Sequence, residues 1–235
     1  MDMNDVRFRI AASRRILFRQ GCDSQVGGHV SERAPGEDAF WVTPFEYFDE
    51  TTPDRVAKIS FDLEVLEGSM AASPAIAFHA AIYRERPDLN AVIHTHSFWA
   101  SVLSGTGQPL GMYNVVSVLF DGEQAFHEDD GTHPSAEGKV IAKALGDKHL
   151  LFLKNHGVIA VGTSLENATV DAVSIELAAH YQVEMERIGA TEMPPAEVRQ
   201  SKVLYEMYFR QNMWPALLRR LRTSDPDLFA YVDEV

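Results

Sequence analysis

Cysteine is almost absent from the chain: Cys22 is the only one in 235 residues. A lone thiol forms no intrachain disulfide, which excludes the bridge-stapled architecture of small secreted domains and zinc sites closed by several thiolates. Long apolar runs are lacking as well. Nothing approaches the ~18 consecutive apolar residues that a membrane-spanning helix needs. The opening residues Met1-Asp2-Met3-Asn4-Asp5 are acidic and polar, unlike a secretion signal. Basic charge is scarce, with 21 Lys and Arg against 34 Asp and Glu and a net charge of −13. That sign opposes binding to a phosphate backbone. These deficits point to a cytoplasmic protein with no nucleic-acid or membrane partner. Common catalytic signatures are missing too: there is no G-x-G-x-x-G, Walker loop, G-x-S-x-G or H-E-x-x-H.

What is present suits one α/β domain. Hydrophobic residues make up 46% of the chain, enough for a sizeable core, and no linker interrupts it. Apolar residues at helical spacing (Val6, Ile10, Ile16, Leu17) predict a helix over 5–20, ended by Gly21. Short strands are expected at 40–43, 56–62, 63–66, 91–96, 115–120, 150–153 and 158–161. Helices are expected at 75–86 behind Ser73-Pro74, at 97–103 capped by Ser97, at 135–145, and at 165–188 behind Ser164. Residues 121–133 read as an acidic loop. Beyond Pro194-Pro195, the aromatic-rich stretch 198–221 predicts a C-terminal helix packed on the body or on a neighbouring subunit, giving a domain over 1–190 with an extension over 191–235.

Among nine histidines, His94 and His96 stand out. On a strand, residues two apart project to the same face, so two imidazoles there can grip one ion. They lie at the end of an apolar strand, where α/β proteins place their sites. His156, in the turn Lys154-Asn155-His156-Gly157, can bring a third nitrogen. Three neutral imidazoles on a divalent ion leave positions open for substrate or water, the catalytic arrangement. An H-x-H pair alone is weak, because packed strand histidines look the same. A cupin also uses it, but no acid follows here in Ser97-Phe98-Trp99-Ala100-Ser101-Val102-Leu103.

Four stretches together resemble the class II aldolase/adducin superfamily over about 5–188. They are Gly28-His29-Val30-Ser31-Glu32-Arg33; Phe78-His79-Ala80-Ala81-Ile82-Tyr83 running on through Arg86-Pro87-Asp88 to His94-Thr95-His96; Leu153-Lys154-Asn155-His156-Gly157-Val158; and Gly162 with Glu166-Asn167-Ala168. The resemblance implies an α/β/α sandwich with a central, largely antiparallel sheet. It also implies one divalent metal per chain on His94, His96 and His156, and a homotetramer with active sites at subunit interfaces. Departures from the sugar-phosphate aldolases accompany it. Their Ser-Ser-Glu, whose glutamate is the acid/base, is here Ser73-Pro74-Ala75. Their Thr-Pro-Ser-Gly phosphate loop is Thr43-Pro44-Phe45-Glu46, and their asparagine after Gly28 is His29. The Pro-Ala feature and the loop Glu128-Asp129-Asp130-Gly131-Thr132 resemble another branch. That branch comprises metal-dependent decarboxylases of hydroxylated aromatic or pyridine carboxylic acids and the aldolase-like proteins of aminocoumarin biosynthesis.

The resemblance therefore implies a carbon–carbon lyase acting on a small acidic molecule. In this chemistry the metal, as a Lewis acid, stabilises enolate- or phenolate-like charge on an oxygen next to the breaking bond. Decarboxylation starts from a carboxylate that is already ionised, so losing the glutamate harms it less than it harms aldol cleavage. His79 and Glu128, with neighbouring His127, are the candidate proton donors. His29, Thr43 and Ser73 are candidate substrate contacts, as are Tyr205 and Tyr208 if the C-terminal segment covers a site. Nitrogen ligands suit Zn, Fe, Ni, Cu or Co, and the resemblance to the decarboxylase branch implies Mn. An aldolase or epimerase on a hydroxy-carbonyl substrate, a non-catalytic adducin-like binding module, and an iron oxygenase remain as alternatives.

Overall fold

The computed structural model describes residues 1–68, 73–128 and 134–232. The first helix, α1 (Val6–Arg19), starts where the Asp5 carboxylate accepts the Arg7 N–H, 2.9 Å away. It ends at Gln20, followed by Gly21 at φ 84°. Strands β1 (His29–Arg33), β2 (Ala39–Val42), β3 (Ala57–Ser60) and β4 (Val65–Glu67) form antiparallel neighbours. A short 3₁₀ turn (Pro74–Ile76), capped by Ser73, leads into α2 (Ala77–Glu85), then β5 (Ala91–Thr95) and α3 (Phe98–Ser104). β6 (Gln124–His127), α4 (Pro134–Leu145), β7 (Leu150–Leu153), β8 (Gly157–Gly162) and α5 (Leu165–Arg187) follow. The last helices are α6 (Pro195–Leu204), α7 (Gln211–Ser224) and α8 (Pro226–Phe229).

One eight-stranded sheet results, in the order β4-β3-β2-β1-β5-β8-β7-β6, with every neighbouring pair antiparallel except β6–β7. Helices cover both faces. Ala91 and Ile93 point to the face packed by α1, α3, α5 and α7, whereas Val92 joins Phe78, Ile82 and Tyr83 of α2 and Ile141 and Leu145 of α4 on the other. This alternation on buried strands is what the pleat demands. It produces the expected α/β/α sandwich. Leu217, Leu221 and Leu228 from the C-terminal helices enter the main core of the same chain.

Several elements differ from the sequence expectation, β1 among them, since no strand is expected at 29–33. Within 121–133, expected to be a loop, β6 pairs in parallel with β7, from Gln124↔Leu150 to His127↔Leu153. It is an edge strand too short to show alternation. Residues 115–120, expected as a strand, form a 3₁₀ turn at Ser117–Phe120. The Asn114 side chain accepts the Val116 and Ser117 N–H groups at 2.8 and 3.3 Å, offering the backbone an alternative to a ladder. The strand expected at 63–66 is displaced to Val65–Glu67 because Leu63 sits in a turn at φ 69°. The C-terminal helix carries one π-helical turn, Tyr205–Arg210, between α6 and α7.

Candidate metal centre

On β5, His94 shares the α2 face with Val92, two residues earlier, and its ring meets that of Phe78 edge-on. The chain leaves the sheet at His96. His156 sits in the turn from β7 to β8, where Asn155 adopts φ 56°. Gly157 lies so close to β5 that a Cβ would drive into the Thr95 carbonyl, so only glycine permits this approach. The His94 and His96 Nε2 atoms stand 2.9 Å apart, as do those of His156 and His96. Nitrogens ~2.1 Å from one ion lie ~3.0 Å apart at a right angle and ~3.4 Å apart at the tetrahedral angle. The observed spacing fits the closer of these. Among the described residues this is the one histidine, cysteine or carboxylate group able to hold a metal ion.

Protein contacts set each ring. His94 Nδ1 lies 3.0 Å from the Val158 carbonyl oxygen. A carbonyl only accepts, so Nδ1 carries the proton and Nε2 turns its lone pair to the other rings. The His96 N–H donates to Ser24 Oγ at 2.7 Å, and Gly27 packs so that a Cβ would stand 2.8 Å from His96 Cε1. The Ser101 hydroxyl donates to the His156 carbonyl at 3.0 Å. His94 is buried, His96 half-buried and His156 exposed, so the group opens to solvent on one side. Burial, reinforced by neighbouring imidazoles, holds His94 well below the ordinary histidine range and brings His96 down to about 4. Both are neutral at pH 7, the form that ligates.

Behind the three lies a second layer. His29, paired with His94 in the sheet, is 2% exposed, and His79 on α2 is fully enclosed. Their ring centres are 5.5 Å apart, and that of His29 is 5.6 Å from His94. His79 Nδ1 meets Ser31 Oγ at 2.7 Å, which in turn meets the Tyr83 hydroxyl at 2.8 Å. Burial holds both imidazoles well below the ordinary range, aided for His29 by His79 and Arg14 and for His79 by His94.

With this geometry in place, the comparisons decide the family. The model of the Class II Aldolase and Adducin N-terminal domain matches residues 8–183. The chain belongs to this family. It is 32% identical over 165 residues to the meiotically up-regulated gene 14 protein of Schizosaccharomyces pombe, covering 68% of this chain and 64% of that one. It is 28% identical over 232 residues to the decarboxylase NovR of Streptomyces niveus, covering 95% and 86%. It is 30% identical over 196 residues to the 5-deoxy-D-ribulose 1-phosphate aldolase of Bacillus thuringiensis, covering 81% and 90%. An aldolase II superfamily protein from Pseudomonas syringae superposes with a TM-score of 0.86 at 26% identity, covering 95% and 94%. The chain is a class II aldolase-type lyase.

The other residues singled out from the sequence divide by position. His29, His79 and Thr43 are buried, and the Thr43 hydroxyl accepts the Val30 N–H at 3.2 Å. Ser73 accepts the Ala75 N–H at 3.3 Å. Glu128 is exposed and ion-pairs with Lys154 Nζ at 2.7 Å, two positions before His156. His127 is half-buried at the end of β6. Tyr205 packs beside Met112, Val118 and Val198, and Tyr208 is 59% exposed. Their segment docks through Arg210 on Asp171, in a pocket shared with Gly162 at the end of β8 away from His156. Residues 129–133 of the acidic loop, His133 among them, lie outside the described residues. Sequence reading missed Ser24, Ser31, Tyr83, Ser101 and Glu176. Ser31 and Tyr83 stood inside the quoted stretches, whereas nothing near Ser24, Ser101 or Glu176 in the chain signals their partners.

Proposed function

We propose that this lyase is metal-dependent and decarboxylates a hydroxylated aromatic or heteroaromatic carboxylic acid, with one divalent ion held by His94, His96 and His156. The observation that carries this reading is the meeting of three imidazoles, with His96 Nε2 2.9 Å from the Nε2 atoms of both His94 and His156, in a corner open on one side. An all-nitrogen set suits Zn, Fe or Co, and the likeness to the decarboxylase branch adds Mn. When bound, the ion acts as a Lewis acid toward charge developing on an oxygen beside the breaking bond.

The surroundings favour decarboxylation over cleavage of a sugar phosphate. The residue before α2 that would serve as a carboxylate base is Ala75. The turn at 43–46 offers little to a phosphate. Thr43 N–H donates to Val30 O at 3.1 Å, Glu46 N–H to Pro44 O at 3.1 Å, and Pro44 has no N–H. The Pro44 and Glu46 carbonyls accept from the buried Arg14 guanidinium at 2.7 and 2.5 Å. A substrate carboxylate needs no base. Lys154 holds the Glu128 carboxyl below the usual range, so Glu128 is ionised at pH 7 and serves this pair rather than donating a proton. His29 and His79 support His94 from behind.

Exposed Val203, Leu204, Met207, Tyr208 and Phe209 support a homo-oligomer, a tetramer on family grounds, in which Tyr205 and Tyr208 would serve a neighbouring copy. A net charge of −13, with no helix among the described residues long and apolar enough to cross a membrane, supports a cytoplasmic location.

The test is CO2 release from a panel of hydroxybenzoic and hydroxypyridine carboxylic acids, with Mn, Fe, Co or Zn supplied. Release abolished by a chelator and by His96→Ala is expected. The second reading, aldolase activity, draws on the 30% identity to the B. thuringiensis enzyme. Splitting of a sugar phosphate into two carbonyl fragments without CO2 release would establish it instead.

A further inference from the structure

We propose that Glu176, on α5, is a positioning residue for the metal centre, holding the first turn of α3 so that His96 and His156 keep their spacing. This inference rests on the metal reading above.

The first N–H groups of any helix lack intrahelical partners. Ser97 stands at the cap position of α3, where the sequence predicts a cap, yet its side chain makes no cap bond and lies 3.4 Å from Thr95 Oγ1. Glu176 takes over the task from another helix: Oε1 accepts the Trp99 N–H at 3.0 Å and Oε2 the Ala100 N–H at 2.9 Å. The carboxylate is 6% exposed. A buried carboxylate is costly unless hydrogen-bonded, and the positive end of a helix is a favourable place for it. One turn later on α5, His180 stacks on Trp99 with ring centres 4.1 Å apart and planes 5° apart. So α5 grips the start of α3 by a carboxylate and by an aromatic face.

What α3 holds explains why this grip reaches the metal ligands. Trp99 follows His96 by three residues, so the turn that Glu176 pins fixes the direction in which the chain leaves His96. Ser101, on the same helix, donates to the His156 carbonyl at 3.0 Å. One short helix thus connects two of the three ligands, and Glu176 anchors its free end.

The test is Co(II) or Mn(II) affinity by calorimetry, with the Co(II) visible spectrum, on the full chain and four variants. Glu176→Ala is expected to weaken ion binding by ~10- to 100-fold, the usual effect of losing a group that orients ligands, and to change the Co(II) spectrum. Glu176→Gln keeps one acceptor oxygen and should fall between. Thr169→Ala is the control: it lies on the same helix, but its hydroxyl bonds Ser13 and the Leu165 carbonyl. It should lower thermal stability and leave affinity unchanged. Unchanged affinity in Glu176→Ala, or equal weakening in Thr169→Ala, overturns the proposal. If Glu176→Ala does not fold, Glu176→Gln and Ser101→Ala decide, and unchanged affinity in both overturns it. If the unaltered protein binds no ion, the metal reading falls and this inference with it. A normal ion site indifferent to Glu176 defeats the inference alone.

Discussion

The two ends of the sheet both bury titratable groups, but they treat them differently. At the end formed by His29, His94 and Gly157, the imidazoles of His94, His96 and His156 turn nitrogens toward one another, and no carboxylate is paired with them. At the other end, marked by Glu32, Ala91 and Gly162, the half-buried Glu32 carboxylate pairs with Arg9, which also lies 3.6 Å from Glu166, and the buried Asp171 carboxylate pairs with Arg210. Perturbed acidity is therefore a poor guide to function in this molecule. Burial pushes Glu32 up to about 7 and Asp171 to about 6, with the arginines opposing, yet both pairs neutralise themselves within the chain. Only the histidine end gathers several donors around a point that an external cation would satisfy.

That contrast can be broken or sharpened by mutation. His94→Ala should remove metal-dependent turnover by ~10³-fold or more, the scale on which a Lewis acid contributes. Glu32→Gln should leave turnover per folded molecule within about twofold. Comparable losses in the two would dissolve the distinction between the ends. For stability the order reverses. Arg9→Ala leaves the half-buried Glu32 carboxylate without its partner and should cost about 1–3 kcal/mol, read as a lowered denaturant midpoint. The metal-free His96→Ala protein should unfold near the unaltered one, since an imidazole that burial disfavours is removed.

The ends should also answer pH in opposite directions, an effect of at most ~1.4 kcal/mol per pH unit for each proton. His96 titrates at about 4 in the fold against an ordinary 6.5. The unfolded chain thus binds more protons between these values, and metal-free stability falls as pH drops from 6.5 toward 4. Glu32 titrates at about 7 against 4.5. There the folded state holds the extra proton, and stability falls as pH rises from 4.5 toward 7. Thermal midpoints of the metal-free protein between pH 4.5 and 6.5 should therefore climb more steeply with pH in Glu32→Gln and less steeply in His96→Ala. Parallel curves for all three would refute the assignments.

Much of this organisation is legible in the sequence because it rests on local spacing. His94 and His96 lie two apart on an apolar strand, and Asn155 with Gly157 marks the turn that carries His156. The four quoted stretches resemble the family to which the chain belongs, and they hold β1, β5 and the turn from β7 to β8. The parts that sequence reading misses depend on pairing at a distance. β6 exists because β7 lies beside it, and its own residues show no alternation. The stretch 115–120 looks like a strand until the Asn114 side chain competes for its amides. The cap of α3 comes from Glu176, 79 positions beyond Ser97, and no local pattern distinguishes that glutamate from its neighbours on α5. His29 and Thr43 read as pocket residues, but the depth at which the fold buries them is a tertiary property.

The central claim is that His94, His96 and His156 hold one divalent ion. It is tested most directly by metal content per chain, measured by mass spectrometry on the unaltered protein and on His96→Ala after incubation with Mn, Fe, Co or Zn. The account predicts close to one ion per chain in the first and a small fraction of that in the second. No bound ion in the unaltered protein under any of these metals, or equal content in the two, would contradict it.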